Sequence, residues 1–258
     1  MRTGNWLLRP SRAQRRVRLY CFCYAGGNAA CFIPWQELLD PDIEVCAIQL
    51  PGRGARMAEP PYGSMQELVH TIAPLVAHDN KVPFALFGHS MGGLVAFEVA
   101  RHCEAYNLSQ PLMLFASGID APQFPAPPKM LHLLSDENLL DELRSYNGTP
   151  AHILEDRELM SLILPTMRSD FALVENYRYR AGARLDIPIS VLAGRDDDPE
   201  ALQDIDKWHY ETSAECEVHW FDGDHFFINE DQSQDAVLHR ISSDLMARLE
   251  KFQLAGSI

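Results

Sequence analysis

Eleven residues, Pro83 to Gly93 (PFALFGHSMGG), constrain what this chain can fold into more than any other stretch. Phe84-Ala85-Leu86-Phe87 is a short apolar run and reads as a buried strand. It runs into Gly88-His89-Ser90-Met91-Gly92, a G-x-S-x-G turn. Leu94, Val95, Phe97 and Val99 then recur at helical spacing. Strand, glycine-flanked serine and helix together form the setting of a nucleophile elbow. Glycines permit a turn too tight for a β-carbon. Such a turn lifts Ser90 Oγ above the sheet edge and sets a helix N-terminus beneath it. The backbone N–H of Met91 is then expected to face a developing oxyanion. A bare G-x-S-x-G also arises by chance, so the rest of the chain must supply a base, an orienting acid and a second oxyanion donor.

Around the elbow, strands and helices alternate. Residues 17–23 read as the first strand, followed by the glycine-rich turn Tyr24-Ala25-Gly26-Gly27-Asn28. A helix is expected over 31–39 and a strand over 43–50, closing in the loop signal Leu50-Pro51-Gly52-Arg53-Gly54. Another helix is expected over 64–77, where Ser64 and Glu67 make a capping box. A strand over 111–116 follows the elbow helix. Strands resume at 187–193 and 216–221, with helices over 199–212 and 233–254. This alternation predicts an α/β fold, a mostly parallel central sheet flanked by helices. Residues 123–180 break it: a proline-rich entry leads into helical segments without a convincing strand, which reads as a mobile helical lid. The core is then 17–122 with 181–258, and 1–16 is a basic N-terminal arm.

Ser, then acid, then His is the chain order of α/β-hydrolases. His225, in Asp222-Gly223-Asp224-His225-Phe226-Phe227 after the last strand, stands where the base belongs. His89 adjoins the nucleophile but points the wrong way along the backbone and reads as structural. Asp196, Asp197 and Asp198 follow a strand on the same rim, where catalytic groups collect. Asp197 is favoured as the acid, and Asp198 before Pro199 as a helix cap. The N–H of Ala25, in the glycine-rich loop, is the expected second oxyanion donor. No G-x-G-x-x-G dinucleotide motif is present there.

Net charge is −14, although residues 1–18 carry six arginines and no acid. So acidic a body argues against nucleic acid as a partner. The basic segment reads as a loosely held surface arm. No apolar run reaches the roughly 18 residues of a membrane span, and no signal-peptide core is evident. Six cysteines without a C-x-x-C pair read as reduced core residues of a cytoplasmic protein.

With these residues in place, the chain resembles the external, type II thioesterases of nonribosomal peptide and polyketide synthetase systems, in the flavour found beside siderophore synthetases. Six blocks carry the resemblance: Tyr24 to Gly27, Leu50-Pro51-Gly52-Arg53-Gly54, Gly88-His89-Ser90-Met91-Gly92-Gly93, Leu164-Pro165-Thr166-Met167-Arg168-Ser169-Asp170-Phe171, Gly194 to Asp197, and Gly223-Asp224-His225-Phe226-Phe227. The resemblance implies an α/β-hydrolase fold. It implies hydrolysis of acyl thioesters on the phosphopantetheine arm of carrier proteins, by an acyl-enzyme on Ser90, with no metal or bound cofactor. Carrier-protein domains would be the partners and the chain a monomer. Docking would use apolar contacts and a basic spot drawn from Arg53, Arg56, Lys129 and Arg168. Two departures stand out. Cys23 replaces the family's usual proline before the glycine loop. Asp120 follows the strand beside the elbow, where some synthetase-embedded relatives keep their acid, so it rivals Asp197. An esterase on small free esters, an acyltransferase and a non-catalytic binding module on the same fold remain the alternatives.

Overall fold

A computed structural model of the chain describes residues 6–11, 15–78, 82–125, 127–146, 148–199 and 202–255. Seven strands form one sheet: β1 (Leu7–Leu8), β2 (Val17–Phe22), β3 (Ile43–Ile48), β4 (Phe84–His89), β5 (Leu114–Ser117), β6 (Ile189–Gly194) and β7 (Cys216–Phe221). Their order across the sheet is β1-β3-β2-β4-β5-β6-β7. β1 pairs antiparallel with β3, and every other pairing is parallel. β3, β4, β5 and β6 are buried at every residue. That accounts for their unbroken apolar runs, since helices cover both faces of a parallel sheet.

Two hydrophobic cores lie on opposite faces. One packs α2 (Met65–Ala77) and α3 (Met91–Ala105) onto the sheet. The other packs α1 (Trp35–Leu38) and the last helix, α7 (Asp231–Ala255). Among the described residues, three α-helices lie between β5 and β6: α4 (Asp136–Ser145), α5 (Ala151–Leu154) and α6 (Arg157–Glu175). They share a small core of their own, with Leu139, Leu143, Leu154, Met160 and Leu164. Among the described residues no strand interrupts this excursion, and no helix is long and apolar enough to cross a membrane.

Local expectations shift in three places. The helix expected over 31–39 splits into a 3-10 turn, Ala29–Phe32, and α1, with Pro34 between them. Proline has no N–H to carry a helix through that point. Among the described residues of the helix expected over 199–212, the structure has a 3-10 turn, Ile205–Tyr210, which starts after Asp204 and not after Asp198. Tertiary anchors hold this segment instead. Trp208 is fully buried, donates Nε1–H to Ile119 O at 2.9 Å, and lies edge-on to Phe97. Asp120 Oδ1 accepts the N–H of Asp204 at 3.1 Å. The described part of the N-terminal segment is docked, not loose. Trp6 is buried under the Arg56 guanidinium, 3.8 Å above its ring, and Leu7–Leu8 extend the sheet. Arg9 and Arg18 share the buried carboxylate of Glu44.

Candidate active site

Because β2, β4, β5, β6 and β7 run parallel, their C-terminal ends share one edge of the sheet. Each candidate residue sits just beyond one of those ends. Ser90 follows β4 directly and takes φ 53 and ψ −121, outside the regions an L-residue prefers. The turn survives because its neighbours leave no room for any other. A β-carbon on Gly88 would lie 2.0 Å from Gly92 O, and one on Gly92 would lie 2.2 Å from Phe22 O. The elbow therefore presses α3 against both its own strand and the end of β2. Ser90 N–H donates to Ser117 O at 2.7 Å, which fixes the corner to β5.

Met91 opens α3, so its N–H is one of the helix's unpaired donors. The N–H groups of Met91 and Ala25 have no hydrogen-bond partner among the described residues. The end of β2 touches the elbow at Gly92, which sets the Tyr24–Gly27 loop beside the start of α3.

Asp197 stands three residues past β6 and is buried, whereas Asp196 is exposed. His225 stands four residues past β7 and is partly buried. The structure brings these two together, with His225 Nδ1 2.8 Å from Asp197 Oδ2. A carboxylate can only accept, so Nδ1 carries the hydrogen and Nε2 is left as the acceptor. Asp197 Oδ1 accepts the N–H of Asp198 at 2.7 Å, which fixes the carboxylate plane. The β6 and β7 loops are themselves stitched, Asp196 N–H donating to Gly223 O at 2.9 Å.

From β7 the imidazole leans back over β5 toward the elbow. Its ring centroid is 5.0 Å from that of His89. Gly118, at the end of β5, lies beneath both rings: a β-carbon there would be 2.7 Å from His89 Cε1 and 3.4 Å from His225 Cε1. His89 is fully buried, with Nδ1 2.9 Å from Ser117 Oγ. Burial, and then the neighbouring His225, hold its pKa well below the usual imidazole value. His89 is thus a neutral wall behind His225. No hydrogen bond joins Ser90 Oγ to His225 among the described residues. Such contacts are often long before substrate binds.

Asp120 does not reach His225. It is buried and turned toward the 203–206 segment. Burial, with Asp204 and Asp206 nearby, pushes its carboxyl up to about 7. Two of the four cations expected at the surface are buried. Arg53 is 5% exposed and locked to Asp170, and Arg56 is covered over Trp6 and paired with Glu59. Sequence reading missed this because nothing local marks Asp170 as the partner. Among the described residues no group of three or more His, Cys, Asp or Glu side chains could hold a metal.

Comparison with known proteins adds independent findings. A family model described as "Thioesterase domain" matches residues 17–245. The gramicidin S biosynthesis protein GrsT of Aneurinibacillus migulanus is 41% identical over 228 residues, 88% of this chain and 89% of that protein. The solved structure of BorB, a type II thioesterase from the borrelidin biosynthetic cluster, is similar with a TM-score of 0.83 and 36% identity, over 95% of this chain and 97% of that one. YbtT, a type II thioesterase from the yersiniabactin NRPS/PKS biosynthetic pathway, gives a TM-score of 0.82 at 28% identity, over 95% and 99%.

Proposed function

This chain belongs to the thioesterase domain family, and from that premise we propose that it hydrolyses acyl thioesters on the phosphopantetheine arm of carrier proteins, clearing misprimed or stalled groups from a synthetase. It is a hydrolase acting on thioester bonds. One observation carries the chemistry: an imidazole oriented by a buried carboxylate at 2.8 Å packs against His89, the residue just before a strained serine at a helix N-terminus. In our reading Ser90 Oγ attacks the thioester carbonyl while His225 Nε2 takes its proton. The N–H groups of Met91 and Ala25 hold the oxyanion. The C–S bond then breaks, and the phosphopantetheine thiol leaves with the proton from His225. Water, deprotonated by His225, attacks the acyl-enzyme, and the free acid departs as Ser90 regains its proton. The arm enters as substrate, and no resident cofactor is called for. The synthetase is of the nonribosomal peptide or polyketide type, the setting of YbtT, and the sequence resemblance points to a siderophore line. Six free cysteines suit a reducing cytoplasm.

The test compares one acyl group on a carrier protein and on a small alcohol. kcat/KM should favour the carrier by on the order of 10²-fold or more, because the remote arm contributes binding energy to the reacting centre. Equal values would move the protein to the small-ester esterases. Acyl transfer to an added amine in preference to water would make it an acyltransferase.

Residues 123–180 form the lid in this proposal, with an inner wall and an outer flap. α6 is the wall. Thr166 Oγ1 donates to Gly52 O at 2.8 Å, and Asp170 pairs with Arg53. α4, α5 and their loops are the flap, closing on the site where Gly148 rests on the Phe226 ring beside His225. Leu133, 67% exposed, lies on the flap's approach near Lys129 and Arg168, the two proposed docking cations that reach the surface. Hydrogen exchange of the free enzyme should be fast in α4 and α5 and slow around Thr166–Asp170. Equal protection of all three helices would remove the flap.

A further inference from the structure

The loop at residues 50–54 and residues 164–171 of α6 have no part in the chemistry just described, yet they converge on the oxyanion loop. Asp170, in the middle of α6, is 1% exposed. Arg53 approaches it with two parallel bonds, Nη1 to Oδ2 at 2.6 Å and Nη2 to Oδ1 at 2.7 Å. Oδ2 accepts a third hydrogen, from the backbone N–H of Gly26 at 2.7 Å. Arg53 Nη1 also donates to Gly27 O at 3.2 Å, and Nε to Pro51 O at 3.3 Å. One buried ion pair therefore grips both sides of the Gly26–Gly27 segment.

Its effect on Ala25 follows from peptide geometry. Gly27 N–H donates to Tyr24 O at 2.9 Å, closing a turn with Ala25 and Gly26 at its corner. Gly26 takes φ +74, as the third residue of a type II turn requires. Because the Tyr24–Ala25 peptide is planar and trans, a pinned Tyr24 O fixes the opposite direction for the Ala25 N–H. Asp170 fixes the next plane through the Gly26 N–H, so both peptides flanking Ala25 are held. Met167, three residues before Asp170, lies against Gly26, and a β-carbon there would meet its Cε at 2.6 Å. The turn cannot shift toward α6, and the ion pair stops it moving away.

We propose that Asp170, locked by Arg53, is the positioning residue that aims the Ala25 N–H at the oxyanion, making that donor's placement depend on a seated α6. This rests on the reading of Ser90 as nucleophile and Ala25 as oxyanion donor. An amide at 170 keeps one acceptor oxygen but loses the charge and the fork geometry that Arg53 needs. Donor misplacement should then act on the transition state and leave ground-state binding alone.

The experiment uses the full chain and an acyl-carrier substrate. Asp170→Asn should lower kcat about 10- to 100-fold with KM unchanged, on the scale of a weakened oxyanion donor. Affinity for an alkyl boronic acid, which mimics the tetrahedral adduct on the serine, should fall by the same factor. Arg53→Lys should give a smaller loss in the same direction. Full kcat in a folded Asp170→Asn protein, or a loss of kcat with boronate affinity intact, overturns the assignment. If the variants do not fold, exchange of the Gly26 amide in the wild-type protein decides: slow exchange supports the clamp, and exchange as fast as an open loop overturns it. Ser90→Ala separates the two levels. Hydrolysis surviving in Ser90→Ala defeats the underlying reading, whereas an inactive Ser90→Ala beside a fully active Asp170→Asn defeats only the clamp.

Discussion

Ser90→Ala should lose on the order of 10⁶ in kcat against an acyl-carrier, the loss seen when the nucleophile of a serine triad is removed. No acyl-enzyme should appear by intact mass. The fold should survive, because Ser90 Oγ has no hydrogen-bond partner among the described residues. What holds the elbow is backbone: Ser90 N–H to Ser117 O, and the contacts of Gly88 and Gly92. Alanine adopts the same φ no worse than serine does, and no buried group is left unpaired. The melting temperature should stay within about 2 °C of wild type, as expected for a change of roughly 0.5 kcal/mol in a chain of this length. A variant keeping a tenth of the activity would refute the mechanism, since no second nucleophile has been assigned at this edge of the sheet. A variant that is inactive and also unfolded would shift the loss from chemistry to the strained turn.

What could be read in the sequence divides along a physical line. The buried strands declared themselves because a parallel sheet covered on both faces demands runs such as Phe84-Ala85-Leu86-Phe87. The elbow declared itself because two close backbone approaches exclude every side chain at Gly88 and Gly92. Both are local demands, met by local residues. Arg53 was illegible for the opposite reason. An arginine between two glycines in a proline-initiated loop is ordinarily solvated, and its partner Asp170 lies 117 positions along the chain. The Ile205–Tyr210 turn was illegible likewise. Helical propensity there loses to Trp208 and to the Asp120 carboxylate, both long-range contacts. The edge strand Leu7–Leu8 is only two residues long and sits among arginines, so no pattern of period two could mark it.

Asp197→Asn should cost on the order of 10⁴ in kcat without unfolding the protein, and Asp120→Asn should cost little. Both residues are buried carboxyls beyond parallel strands, β6 and β5, and the sequence left both open as the acid. Geometry and charge separate them. Asp197 Oδ2 meets His225 Nδ1 at 2.8 Å, and its other oxygen is held by the Asp198 N–H. Asparagine there can present an N–H to the ring, which favours the wrong tautomer and takes the acceptor away from Ser90. Asp120 instead accepts the Asp204 N–H, a bond an asparagine oxygen can also accept. Burial raises its carboxyl to about 7, so near neutrality it is only partly ionised and a poor fixed counter-charge for an imidazolium. The same shift predicts a stability signature. An acid whose pKa is raised on folding binds more protons in the native state, so stability falls as pH climbs from the unfolded value, about 4, through about 7. Asparagine has no such cost. The melting temperature of Asp120→Asn relative to wild type should therefore rise between about pH 5 and pH 8 and level off above that. If Asp120→Asn instead lost 10⁴ in kcat while Asp197→Asn stayed active, the orienting acid would belong to β5, and the Asp197–His225 bond would be structural.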